Sequence, residues 1–185
     1  MLYISYCTRP DISYAVNKLA KFSKNPGIIH YRCLLHLIGY IKNTLSKGSK
    51  FHSKYENSQL FQLLKEYNIT SNNKSVITFS DSSWNDCIDI SRSNGGHITS
   101  IQGGAVDYGS HLSVPVATMS SGEAEYISAA VACMRASHLR MSIYDLKYLC
   151  SEDYDGDNME YDPAKIIIDN EAAISMAKLP IINSI

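Results

Sequence analysis

The sequence predicts an α/β protein, a mixed sheet with helices preceded by an N-terminal αα-hairpin, and three observations predict it. Two short apolar runs, Val76-Ile77-Thr78-Phe79-Ser80-Asp81 and Lys165-Ile166-Ile167-Ile168-Asp169, have strand length and β-branched content. Between them lies a long segment of helical period that opens at Ser120-Ser121-Gly122-Glu123. Ahead of both, residues 1–50 carry two helical stripes joined by a short breaker.

The first helix is expected to open at Thr8-Arg9-Pro10-Asp11, with Thr8 as N-cap, Pro10 in the first turn and Asp11 at the positive end of the dipole. Ile12, Ala15, Val16, Leu19 and Phe22 recur at helical spacing, and Asn25-Pro26-Gly27 stops the run. A second helix from about residue 29 carries Cys33, Leu34, Leu37, Ile38, Ile41 and Leu45, with Gly48 as its C-cap. A short connection makes the two antiparallel. His30 shares the second stripe and reads as a core or boundary histidine rather than a ligand.

Residues 49–74 are mixed and polar and read as a connection holding a short helix near Leu60–Leu64. After the strand at 76–81 come a loop, Ser82–Ser93, and two strands, Gly96–Ile101 and Ala105–Tyr108, with Gly103-Gly104 as the hairpin signal between them. The helix from Ser121 to about Leu149 is the best-marked element, because Ser120 and Glu123 form an S-x-x-E capping box. Ala124, Ile127, Val131 and Met134 make a stripe suited to a sheet, with Ser128 as a polar interruption and Glu125 at the margin. Residues 152–162 form an acidic loop. An EF-hand fails there, since Asn158 stands where glycine is needed and Ala164 where the bidentate glutamate belongs. The strand at 165–169 and a short helix, Asn170–Lys178, follow.

Composition narrows the class. A chain of 185 residues with 45% hydrophobic content is long and apolar enough for one core, and its apolar runs are too short to span a bilayer. No export signal opens it. Five dispersed cysteines without a C-x-x-C pair favour reduced thiols in an intracellular compartment and argue against a zinc site. The net charge of −1 hides an asymmetry: residues 1–54 hold nine Lys or Arg and one acid, Asp11, while the remainder holds seventeen acids. A basic part beside an acidic part suits nucleic acid held next to a metal site, although a solvated helical face explains the charge as well.

Asp81 and Asp169 each close a strand that reads as buried, and Glu125 lies one turn into the long helix. A carboxylate in such a place is costly unless a positive charge meets it, and three that converge make a divalent cation the natural candidate. Each also has a plain structural reading. Asp81 could cap the turn after its strand, Glu125 could gain only from the helix dipole, and Asp169 could be the N-cap of the next helix. Asp86 and Asp89 read as solvated loop residues, and His111 and His138 have no visible partner.

At this point the residues resemble a known family. The order strand, hairpin, helix, strand, helix with these three acids resembles the ribonuclease H fold. The wording resembles the C-terminal part of the Pol polyprotein of copia-type LTR retrotransposons. Five segments carry the likeness in order: Cys7-Thr8-Arg9-Pro10-Asp11-Ile12-Ser13-Tyr14-Ala15-Val16, Phe79-Ser80-Asp81-Ser82-Ser83-Trp84, Arg92-Ser93-Asn94-Gly95-Gly96, Ser120-Ser121-Gly122-Glu123-Ala124-Glu125-Tyr126-Ile127 and Asp169-Asn170-Glu171-Ala172-Ala173-Ile174. The resemblance implies an endonuclease that cuts the RNA strand of RNA·DNA hybrids during reverse transcription. Asp81, Glu125 and Asp169 would then be catalytic residues and ligands of two Mg²⁺ ions, with Mn²⁺ as an alternative.

The resemblance also implies three regions: a hairpin (1–50) connecting from reverse transcriptase, a linker (51–74), and a ribonuclease H-like domain (75–185). That domain is expected to be incomplete, because Leu179-Pro180-Ile181-Ile182-Asn183-Ser184-Ile185 supplies neither the family's last strand nor its last helix with a fourth carboxylate. The implied partners are an RNA·DNA hybrid and the reverse-transcriptase portion of the same polyprotein, with no membrane. The implied compartment is the cytoplasm, in virus-like particles, or the nucleus. No Tyr-x-Asp-Asp motif occurs, so polymerase activity is excluded. Asn94, His97 and Gly122 depart from the family's usual residues. A non-catalytic remnant of a transposon polyprotein, with at most nucleic-acid or polymerase binding, is the alternative.

Overall fold

A computed structural model describes residues 1–71, 75–87, 92–112, 119–150 and 163–179. The acidic loop at 152–162 and Asp89 lie outside them, as does the side chain of Asp86. A four-stranded mixed sheet organises the chain, with β1 (Ile77–Cys87), β2 (Arg92–Ile101), β3 (Gly104–Leu112) and β4 (Lys165–Ile167) in the spatial order β3-β2-β1-β4. The first three strands form an antiparallel meander, and β4 lies parallel to β1. A parallel neighbour needs a crossover, and the helix α5 (Ser121–Cys150) lies on that connection.

The first three strands run longer than their apolar patterns, whereas β4 stops at Ile167, two residues short of the expected 165–169. The polar stretch after Asp81, expected as a loop, continues β1 to Cys87, because its backbone pairs with β2 through Ser83 and Asn94 and, past an irregularity, through Cys87 and Arg92. Between β2 and β3 the turn falls on Gln102-Gly103, one residue before the expected pair, and both have positive φ, 51° and 78°. That is the two-residue turn whose twist matches antiparallel strands, and glycine takes its second position without strain.

On α5 the Ser120 cap stands: Glu123 N–H donates to Ser120 Oγ (3.2 Å), and the Glu123 carboxylate accepts from Met119 N–H (2.7 Å). The buried stripe differs from the apolar one. Ala124, Glu125, Ser128, Ala129, Ala132 and Ala136 are buried, whereas Met134 is 68% exposed. Small residues win this face because the helix sits close on the sheet. A Cβ on Gly95 of β2 would lie 2.8 Å from Ser128 Oγ. Ser128 is therefore no interruption: it donates to the Asp81 carbonyl (3.0 Å) and accepts from Ser80 Oγ (3.1 Å). At the start of α5, Gly122 lets α6 (Glu171–Lys178) approach, a Cβ there being 3.2 Å from Ala172 Cβ.

The N-terminal helices are displaced from expectation. Leu2–Cys7 forms a first helix, α1, and Thr8 ends it instead of capping the next. A 3-10 turn, Pro10–Ile12, leads into α2 (Ser13–Ala20), and α3 runs Ile28–Asn43 with Thr44, not Gly48, at its C-cap. Ile12, Val16 and Leu37 form a small core between them. Arg9 closes the far end by donating to the Thr44 carbonyl (3.0 Å) and Thr44 Oγ1 (2.8 Å), an antiparallel pairing of the two segments. Its guanidinium also holds Asp11 at 2.8 Å, and those hydrogen bonds keep the Asp11 carboxyl down at about 2. His30 is a boundary residue, stacked on Phe22 (ring centres 3.9 Å apart) and accepting from Gly27 N–H (2.9 Å).

The stretch read as a connection contains α4 (Gln59–Glu66), capped by Ser58 Oγ, which accepts from Phe61 N–H (3.1 Å). It joins the sheet's own core, since Tyr55 and Leu64 cluster with Ile77, and Phe61, Phe79 and Ile167 pack around them. Ser80 contacts α5 while Phe79 belongs to this cluster, so strand alternation puts α4 on the face opposite α5. The helix α2 reaches the sheet at β3, where Asn17 Nδ2 donates to the Ser110 carbonyl (2.8 Å).

Candidate metal centre

Asp81, Glu125 and Asp169 come together. One carboxylate oxygen from each lies within 4.8 Å of the others, and they are the one such group of acids, histidines or cysteines among the described residues. Three elements deliver them: Asp81 from β1 opposite Gly96, Glu125 from the second turn of α5, and Asp169 from the bend between β4 and α6. Asp81 and Asp169 are exposed and Glu125 is 5% exposed, so a buried acid lies under two open ones.

Local bonds fix the arrangement. Ser82 N–H donates both to Asp81 Oδ1 (2.8 Å) and to Glu125 Oε1 (3.1 Å). That shared donor aligns two like charges which would otherwise separate. The cap of α6 falls to Asn170, whose Oδ1 accepts from Ala173 N–H (3.0 Å), so the Asp169 carboxylate is not spent on the helix end.

Electrostatically the cluster is a set of three carboxylates. Burial, then the neighbouring Asp81 and Asp169, push the Glu125 carboxyl up to about 7, against the Ser82 N–H, which lowers it. Among the described residues, its Oε2 is buried with no hydrogen-bond partner. A buried oxygen beside two acids is destabilising alone and favourable with a positive ion. An all-oxygen, anionic donor set with two members open to water fits Mg²⁺ or Mn²⁺, which keep several waters. The residues therefore fit the metal that the resemblance implies. Sequence reasoning missed the two groups that support the site, the Ser82 amide and Ser128; a serine in the middle of the predicted stripe was the signal for the second.

Around the site lie other polar groups. His97 Nε2 is 3.3 Å from Asp107 Oδ2, and its ring centre is 6.2 Å from that of His111. Burial lowers the His111 pKa, as do His97 and Arg135. Cys7, Cys33 and Cys133 are exposed free thiols. Among the described residues no helix is long and apolar enough to cross a membrane.

Comparison with known proteins supplies a context for this geometry. No protein-family model matches the chain, and no solved structure matches it. Over 129 residues (70% of its length) the chain is 30% identical to the retrovirus-related Pol polyprotein from transposon TNT 1-94 of Nicotiana tabacum. It is 30% identical over 134 residues to a transposon Ty5-1 protein of Saccharomyces cerevisiae, and 26% identical over 136 residues to secreted RxLR effector protein 161 of Plasmopara viticola. The chain spans 8% of the tobacco polyprotein, 38% of the yeast protein and 83% of the Plasmopara protein. Identity near 30% across about 70% of its residues makes this chain a relative of retrotransposon Pol polyprotein segments.

Proposed function

We propose that this chain is a ribonuclease H-like segment of a copia-type retrotransposon Pol polyprotein that cuts the RNA strand of RNA·DNA hybrids, with Asp81, Glu125 and Asp169 as its magnesium ligands. The observation that carries the reading is the convergence of three carboxylates within 4.8 Å, one of them buried with an oxygen that has no partner among the described residues. The mixed sheet with a parallel last strand and a crossover helix supports it, as do the polyprotein relatives.

Two magnesium ions bound there would activate the attacking water and stabilise the leaving 3′-oxygen. The chain's own residues prepare that chemistry. Ser82 N–H orients one oxygen of Asp81 and one of Glu125. Ser128 ties the Asp81 backbone to α5, which holds the strand and helix contributions in register. A cation held there would favour the ionised form of Glu125, whose carboxyl burial pushes up to about 7, so Mg²⁺ binding would strengthen as the pH rises through that value. The partners on this reading are the hybrid, recognised by backbone shape and 2′-hydroxyls, and the polymerase part of the same polyprotein. The compartment is the cytoplasm, within particles, or the nucleus.

The test is incubation of the purified chain with end-labelled RNA·DNA hybrid and Mg²⁺. Cleavage is expected in the wild type and a loss of at least ~100-fold in Asp81→Asn, the scale of removing an electrostatic stabiliser. In EDTA the variant should melt no lower than the wild type, because it removes a like charge. Intact hybrid after incubation with folded wild-type chain would sink the reading. A second reading, a non-catalytic module, is favoured by one observation: the chain spans 83% of the Plasmopara effector, a protein named for another role. Under it, Mg²⁺ would leave the melting temperature unchanged.

A further inference from the structure

Opposite α5, the face of the sheet carries two concavities that join. The first, of about 640 Å³, contains Asp81 and Asp169, and the second, of about 670 Å³, contains Lys47, Lys50 and His52. Pro10 and Ile98 line both, so the two form one groove. Alternate residues of β2 make its floor: Gly96, which pairs with Asp81, then Ile98, then Ser100. At the far end, His52 N–H donates to the Gln102 carbonyl (3.1 Å) and ties the lysine-bearing segment to the β2–β3 turn. From Gly96 to Gln102 the extended chain covers about 20 Å, at ~3.4 Å per residue.

The two ends carry opposite charge. Asp11 is the one acid that lines the second concavity among the described residues, and the Arg9 guanidinium pairs with it at 2.8 Å. Lys47 and Lys50 are exposed. Lys47 spends one ammonium hydrogen on the Tyr40 hydroxyl (3.4 Å), which leaves two donors. A basic peptide laid in the groove would be repelled at the lysine end. A chain of regularly spaced phosphates suits both ends, one phosphate reaching the acids through a cation and others meeting the ammonium groups directly. We propose that the lysine end is a backbone contact for the hybrid, where Lys47, Lys50 and His52 hold phosphates of the paired duplex several base pairs from the phosphate at Asp81 and Asp169. The bases stay paired, because only backbone enters the groove, and such contacts fix position without reading sequence. The proposal rests on the nuclease reading for the identity of the duplex.

The experiment measures binding of a labelled RNA·DNA hybrid to the full chain by fluorescence anisotropy, in EDTA and across a series of salt concentrations. Lys47→Gln/Lys50→Gln should weaken binding roughly ten-fold or more at about 0.1 M KCl. It should also flatten the plot of log affinity against log salt by about 1.8, or about 0.9 for each lost phosphate contact. Lys24→Gln/Lys42→Gln removes the same charge from exposed lysines outside the groove, and should change the affinity by less than about two-fold. Both double variants should melt with the wild type, since all four side chains are exposed. Unchanged affinity and slope in Lys47→Gln/Lys50→Gln would overturn the proposal. So would an equal loss in the control pair, which would make net charge the cause. Cleavage is followed separately in Mg²⁺. If the hybrid stays intact but the loss of affinity is confined to the groove pair, the nuclease reading fails and the contact stands. If the hybrid is cut and both pairs bind like the wild type, the contact fails and the nuclease reading stands.

Discussion

Glu125 shows how one buried side chain reports on the site. Its carboxyl titrates near 7 in the folded chain and near 4.5 when exposed. Between those values the folded state keeps a proton that the unfolded state has released, so rising pH favours unfolding. The contribution is fully present below about pH 4.5 and is lost by about pH 7. Melting temperature measured in EDTA should therefore fall between pH 5 and pH 7.5, and Glu125→Gln should flatten that slope. Adding Mg²⁺ at the upper pH should restore the melting temperature of the wild type, since an ion that binds only the folded state stabilises it. Asp11 has the opposite sign. Arg9 holds it down at about 2, so its contribution is present above about pH 4 and is lost as the pH falls through 2.

At the scale of elements, the seating of α5 on the sheet decides where Glu125 lies. Gly95 of β2 gives Ser128 the space to bond Ser80 and the Asp81 carbonyl. A methyl at Gly95 would lie 2.8 Å from Ser128 Oγ and 2.9 Å from His111 Nε2. Gly95→Ala should therefore cost about 1–3 kcal/mol, the usual range for overpacking. Adding Ser128→Ala should return part of that loss, and denaturant unfolding of the two single variants and the double variant measures the coupling. The cap of α6 offers a second check. Asn170→Ala should cost about 1 kcal/mol, because the Ala173 N–H loses its acceptor. The same change should weaken Mg²⁺ binding, read by calorimetry, since it loosens the bend that presents Asp169.

For the molecule as a whole, the core extends further toward the N-terminus than the polarity of residues 49–74 implies. Leu64 is 1% exposed and packs with Tyr55 and Ile77 on the face opposite α5. Leu64→Ala should cost about 2–5 kcal/mol in denaturant unfolding, as for other fully buried leucines. A loss below about 0.5 kcal/mol, the range of surface changes, would show instead that this stretch is a tether. Separately, the N-terminal segment meets β3 through Asn17, and its Pro10, Ser13 and Tyr14 line a cleft that reaches Asp81 and Asp169.

Local pattern alone was enough for the strands around Phe79 and Ile167 and the cap at Ser120, because strand period and capping chemistry are written in neighbouring positions. It misjudged what depends on distant partners. The polar end of β1 becomes strand through pairing with β2. The stripe that α5 buries is chosen by the closeness of the sheet and not by the size of its apolar residues. Residues 49–71 gain their place from a face of the sheet that no local signal describes. Sequence named the three carboxylates, but only the tertiary fold decided that they share one volume and that one of them is buried, because burial and charge repulsion are properties of what surrounds a residue in space.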